Sequence, residues 1–252
     1  MRAADRWAGE LAAWAIDPEI LAAAPESPYG FPPGLFGSSR GAAATLDAVR
    51  GGLPGSLLDV GCGGGAASIP AGAAELLGVD SSPAMLERFR AAAGAVPVRT
   101  WCGQWPDVAA QVPAADVVVA ANVDYNVPDV APFVRELTAH ARRRVVVELT
   151  DEHPWTSLAG LWRHFHGQDR PAGPTVALFG EVLAELGLHA EARTWARPDL
   201  WREAEPDVVL EFTRRRLCLP ASRDAEVAEA MRRFADDRPH TSTTFWWPGG
   251  AR

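Results

Sequence analysis

An apolar run carrying one acid, Leu57-Leu58-Asp59-Val60, leads straight into the turn Gly61-Cys62-Gly63-Gly64-Gly65-Ala66. Glycines at 61, 63 and 65 remove the Cβ atoms that would hold a ligand off the backbone, and they permit the positive φ values of a sharp strand-to-helix turn. Such a junction belongs to an α/β layer in which the turn cradles a nucleotide-like ligand. The rest of the chain can be placed relative to it.

The spacing Gly61-x-Gly63-x-x-Ala66 satisfies the loose dinucleotide fingerprint and by itself names no cofactor. Asp59 separates the alternatives. A carboxylate just before the first glycine would repel a pyrophosphate, whereas it suits a ligand with an ammonium end and no phosphate, such as S-adenosylmethionine. The second apolar run, Glu75 to Val79, ends in Asp80, 19 residues after Gly61, where an acid can hold a ribose diol by two charge-assisted hydrogen bonds. Ser81, Ser82 and Pro83 give Asp80 a second reading, as a helix N-cap.

The segment Asp59-Val60-Gly61-Cys62-Gly63-Gly64-Gly65, with the acid at Asp80, resembles motif I of the class I S-adenosylmethionine-dependent methyltransferases. The resemblance implies a Rossmann-like, seven-stranded, mostly parallel sheet with helices on both faces. It also implies that Asp59, Gly61, Cys62 and Gly63 form the cofactor turn and that Asp80, Ser81 and Met85 lie along the ribose side. The loop Cys102 to Asp107 would pack the adenine, with Gln104 at its edge and Trp105 either stacked on it or part of the plain core. Asn122 and Val123, after the fourth strand, would face the transferable methyl group.

Composition narrows the chemistry. The 252-residue chain is 48% hydrophobic, enough for one catalytic core. A formal charge of −8 and a pI near 5.3 disfavour nucleic acid as the main partner and favour a small molecule. All 24 basic residues are arginine, so a P-loop lysine, a Schiff-base lysine and a lysine general base are excluded. Three dispersed cysteines without a C-x-x-C pair fit a reducing compartment. Residues 1–16 are interrupted by charges, and no apolar run nears the roughly 18 residues of a membrane span. The expectation is a soluble, cytoplasmic protein that binds no membrane; the sequence leaves its oligomeric state open.

Along the chain, residues 3–16 and a short helix after Asp17-Pro18 read as an N-terminal helical cap, followed by a Pro/Gly-rich loop bearing Tyr29, Phe31 and Phe36. The cap is taken as residues 1–38 and the catalytic domain as 39–252. Helices are expected at 39–49, 66–74, 83–93, 129–141, 175–186, 207–217 and 223–234. Strands three to six are expected at 96–102, 116–121, 144–149 and 189–195, and the last, antiparallel by resemblance, at 241–247. Val117–Val119 and Val145–Val147 read as strands buried on both faces. Arg142 to Arg144 are read as cations at a helix C-terminus. Residues 150–174, with the helical stripe Trp155, Leu158, Leu161, Trp162 and Phe165, read as a lid inserted after strand five.

Methyl transfer needs placement more than activation, and a base only when the acceptor arrives protonated. The candidates lie in the loops after strands four and five: Asp124, Tyr125, Asn126 and His153, with His153 as base oriented by a carboxylate. The aromatic cap and lid favour a small, partly apolar or aromatic acceptor. No N/D-P-P-Y/F motif follows strand four, which disfavours amino methylation of nucleic acid or protein of that type. Two rivals are a non-catalytic S-adenosylmethionine-binding protein and a nicotinamide-dependent oxidoreductase; Asp59 and the missing lysine oppose the latter.

Overall fold

The computed structural model describes residues 1–29, 42–197, 205–234, 238 and 240–251. Seven strands are present: β1 (Ser56–Val60), β2 (Glu75–Asp80), β3 (Val98–Cys102), β4 (Ala115–Ala121), β5 (Ala141–Thr150), β6 (Glu191–Ala196) and β7 (Thr241–Pro248). They form one sheet in the order β3-β2-β1-β4-β5-β7-β6. β7 runs antiparallel to both its neighbours and the other pairings are parallel. The order reverses between β1 and β4, which places a ligand crevice at the C-terminal ends of these strands. Val117–Val119 and Val145–Val147 are fully buried, as two-faced strands require.

On one face lie α3 (Ala43–Arg50) and α4 (Pro83–Ala93), packing Leu46, Val49, Leu86 and Phe89 against the sheet. α4 begins with Pro83 at its first turn, and the Ser82 hydroxyl accepts from the Met85 N–H. The opposite face carries α1 (Ala3–Ala12), α5 (Val130–His140) and α7 (Val176–Glu185), with Trp7, Phe133, Leu137 and Phe179 inward. Among the described residues the remaining helices are α2 (Pro18–Ala23), α6 (Ala159–His166), α8 (Pro206–Arg216) and α9 (Asp224–Arg233).

Three sequence expectations change. The helix expected over 66–74 is a single 3-10 turn, Ile69–Ala71, because Pro70 offers no N–H and Gly72 takes a left-handed φ of 83°. Arg142–Arg144 are not a helix end but the start of β5; the Arg143 and Arg144 guanidinium groups donate to the carbonyls of Pro54 and Ala48, each at 2.9 Å. The cation thus complements the C-terminal carbonyls of α3 rather than those of α5. The stripe in 150–174 is divided between a 3-10 turn, Pro154–Leu158, and α6, and it packs against α8 and α9 in a third core containing Ile16, Leu161, Trp162, Leu217 and Val227. The boundary expected at residue 38, with Phe31 and Phe36, lies outside the described residues.

The cap is locked to the sheet by indoles. Trp7 is fully buried, its ring 6.0 Å from Tyr125 and 5.7 Å from Phe179, and its Nε1 donates to Val127 O at 3.0 Å. Trp14 stacks on His153 at 3.9 Å and donates to Gly173 O. The Arg170 guanidinium lies over the rings of both Trp14 and Trp162, at 5.0 and 4.7 Å. Replacing Trp7 by Ala should cost about 3–5 kcal/mol of unfolding free energy through loss of buried ring contacts. Trp7→Phe, which removes mainly the hydrogen bond, should cost about 1–2 kcal/mol. Urea denaturation of the two variants checks the ratio; equal losses would place the energy in the hydrogen bond.

Candidate active site

The glycine turn is laced to β2. The N–H groups of Gly61 and Cys62 both donate to Val79 O, at 2.7 and 3.0 Å. Gly61, Gly63 and Gly65 have φ values of 69°, 48° and 79°. A Cβ on Gly61 would stand 2.4 Å from Val123 Cγ2, so the missing atom is what lets the β4 loop close on the turn. At Gly63 and Gly64 an added Cβ would meet nothing within 4 Å. These two positions therefore leave a bare backbone facing open space, where a ligand can approach.

Asp80 closes the turn from below. One carboxylate oxygen accepts from Gly63 N at 2.9 Å and the other from Ser82 N at 2.8 Å. The N-cap of α4 is Ser82, so the capping alternative for Asp80 gives way to a role that ties two segments together. Each oxygen keeps a second lone pair for a donor from outside. Ser81 is exposed beside it, and Met85 is half-buried in the first turn of α4.

Three neighbours have buried side chains with structural roles. Asp59 is 2% exposed and accepts a 2.5 Å hydrogen bond from Ser68 Oγ, so it braces the turn from underneath instead of standing open at its surface. Cys62 is buried, and burial pushes its thiol up, which makes it a packing group. Trp105 is no platform for adenine: it is buried in the core beside Ala109 and Val112, with the His140 ring against it at 4.8 Å and 77°. Burial of a large ring among apolar neighbours outweighs its exposure at the edge. Gln104 is exposed, at the end of the sheet where it was expected.

After β4, Asn122 takes a left-handed φ of 58°. Glu148 of β5 holds it twice, through Asn122 N to Glu148 O at 2.8 Å and Nδ2 to Oε1 at 2.9 Å. The other oxygen of Glu148 accepts from Thr45 Oγ1 at 2.5 Å. Glu148 was not singled out from the sequence, although an acid ending the run Val145-Val146-Val147 was the available signal. Tyr125 donates its hydroxyl to Thr150 O and meets the His153 ring edge-on at 5.2 Å. Asn126 is exposed and donates to Val123 O.

Residues 57–144 match the family model described as a methyltransferase domain. In fold the chain is similar to an S-adenosylmethionine-dependent methyltransferase from Geobacter sulfurreducens in complex with S-adenosylhomocysteine, at 15% identity, 84% and 94% coverage of this chain and that one, and a TM-score of 0.56. It is also similar to the magnesium protoporphyrin IX methyltransferase of Synechocystis PCC 6803 with bound S-adenosylhomocysteine, at 16% identity, 82% coverage of each chain and a TM-score of 0.52. At these identities the likeness is one of fold. No curated protein matches the sequence.

Among the described residues, the expected His–carboxylate base is not assembled. His153 and Tyr125 come together, but both oxygens of Asp124 are buried without a hydrogen-bond partner. His153 Nδ1 accepts from Trp155 N at 3.2 Å and caps the turn that follows. Burial, with the Arg170 charge adding to it, lowers the imidazole to about 3. It is therefore neutral at physiological pH, with its proton on Nε2, and is a capping group rather than a base. Burial, opposed by its own backbone N–H, raises Asp124 to about 7.

Burial, with the Asp80 charge adding to it and the Ser68 bond opposing it, raises Asp59 to about 7. A carboxyl raised on folding contributes stability below its unfolded value near 3.8 and loses it as the pH climbs to about 7. Asp59→Asn should therefore flatten the fall in stability of the ligand-free protein between pH 5 and 8. Denaturation midpoints at the two pH values test this; an unchanged pH slope would return Asp59 to an ionised state throughout.

Proposed function

We propose that the chain is an S-adenosylmethionine-dependent methyltransferase acting on a small, partly apolar or aromatic acceptor by in-line methyl transfer. The observation that carries this reading is the Asp80 carboxylate, which bridges Gly63 N–H and Ser82 N–H beneath a turn bare of Cβ atoms. That arrangement fits a ribose diol received by the remaining carboxylate lone pairs, with the cofactor backbone lying over Gly63 and Gly64. Gln104, Met85 and Ser81 are placed to line its adenosine side, and Asn122 and Val123 its reacting end.

Bound there, the cofactor supplies a methyl group already activated by its sulfonium. The chain's own contribution is positional. Val123, packed on Gly61, and Asn122, held by Glu148, define the wall at the strand ends. Tyr125 and His153 form a fixed aromatic support behind that wall, with Trp14 stacked on the imidazole. An acceptor that loses a proton delivers it to solvent, since His153 is held neutral and Tyr125 is committed to Thr150.

Isothermal calorimetry should detect S-adenosylhomocysteine and no NADH. Asp80→Ala should weaken the former by roughly ten- to hundredfold, the range for hydrogen bonds to a charged group. Turnover to S-adenosylhomocysteine across an acceptor library then separates the enzyme from a non-catalytic binder. Binding without turnover on any acceptor would favour the binder, and preferential NADH binding would overturn the cofactor assignment.

A further inference from the structure

A buried file of polar groups crosses the sheet just beneath its ligand-binding edge. Trp195 Nε1 on β6 lies 3.1 Å from Thr244 Oγ1 on β7, which lies 2.8 Å from Thr45 Oγ1 on α3, which lies 2.5 Å from Glu148 Oε2 on β5. Its direction is fixed at both ends. An indole N–H only donates and Glu148 Oε2 accepts from Thr45 Oγ1, so each hydroxyl passes its proton towards Glu148. Thr45 and Thr244 are fully buried and Glu148 is 8% exposed. The file ends on the Asn122 amide, whose Nδ2 is 2.9 Å from Glu148 Oε1.

This ending has a chemical consequence. A carboxylate can receive only the NH2 side of an amide, so Glu148 dictates which way Asn122 faces. The Asn122 backbone is fixed as well, in a left-handed conformation uncommon for a residue with a side chain, which persists only where its surroundings enforce it. The next residue, Val123, touches the glycine turn, so the amide stands beside the cofactor edge. Asn122 is exposed there, and its Oδ1 is the end not used by the file.

We propose that Glu148 is a positioning residue for methyl transfer: through Asn122 it presents a fixed carbonyl oxygen to the N–H or O–H of the acceptor atom at the transferable methyl group. The acceptor class that follows is an amine or hydroxyl carrying a proton, held in line by that oxygen. This rests on the reading of the turn as an S-adenosylmethionine site.

The test needs no acceptor. Sinefungin carries an amine-bearing carbon where S-adenosylmethionine has its methylsulfonium, so it places N–H donors at the transfer position, while S-adenosylhomocysteine places none. Calorimetry on the full chain should show Glu148→Ala and Asn122→Gly each weakening sinefungin roughly tenfold or more while moving S-adenosylhomocysteine by less than about threefold. Gly tolerates the left-handed φ, so Asn122→Gly removes the amide without new strain. Glu148→Gln can accept from Asn122 and donate to Thr45, and should keep the wild-type preference. The double variant Glu148→Ala/Asn122→Gly should be no weaker than either single one, because both act on one contact.

If Glu148→Gln falls as far as Glu148→Ala, or if the two losses add in full, Glu148 acts by its own charge and the proposal is overturned. Should Glu148→Ala not fold, as judged by circular dichroism, the contrast between Glu148→Gln and Asn122→Gly decides alone. Absence of binding of both ligands to the wild type would instead overturn the cofactor reading.

Discussion

Two backbone N–H groups from separate segments meet on one carboxylate, and the ligand-binding edge is built outward from that meeting. Asp80 fixes Gly63 and Ser82 together, so the turn after β1 and the first turn of α4 share one reference point. Hydrogen bonds to a charged acceptor contribute more than neutral ones, which matters for a turn whose glycines supply no side-chain packing of their own. The reference extends to β4 because Gly61 leaves room for Val123. Three loops that come from different parts of the chain thereby hold one geometry.

Buried polar groups around this edge fall into two kinds. The file from Trp195 to Glu148 is complete, since a group that only donates stands at one end and a group that accepts at the other. A satisfied network of this kind specifies one arrangement of α3, β5, β7 and β6, where an apolar core of similar volume would tolerate several. Asp124 is the opposite case, with two buried oxygens that have no side-chain or neighbouring hydrogen-bond partner among the described residues, and desolvation raises its pKa to about 7. The cap uses a third solution for buried charge. Arg170 is set between indole faces and donates to main-chain carbonyls instead of pairing with an acid, a use of the planar guanidinium that the compact ammonium of lysine could not match.

The sheet was legible because its signals are local. Continuous valine runs mark β4 and β5, and Ser82-Pro83 marks the start of α4 at the expected residue. The cofactor turn was legible because φ > 0 and missing Cβ atoms are written directly as glycine. What escaped the sequence depends on distant partners. Trp105 and His153 carry the chemistry expected of a platform and a base, but His140, Trp14 and Arg170, remote in sequence, turn the first into core and hold the second neutral. Glu148 and Thr45 are 103 positions apart, and nothing in either neighbourhood announces that they meet. The lid stripe was read as helical, yet its partners in α8 and α9 lie beyond α7 and β6 in the chain.

The antiparallel β7 has a consequence for how the chain reaches this state. It is the last strand in sequence, but it lies inside the sheet, with β5 on one side and β6 on the other. During synthesis β1 to β4 can pair as they emerge, whereas β5 and β6 have no neighbour between them until residues 241–248 leave the ribosome. Until then each presents an unpaired edge, a template for pairing with other chains. Contacts of such sequence separation also form slowly. The completed file from Trp195 through Thr244 to Glu148 therefore appears only once β7 has emerged, and the nascent protein has its glycine turn and Asp80 well before the wall that Glu148 supports.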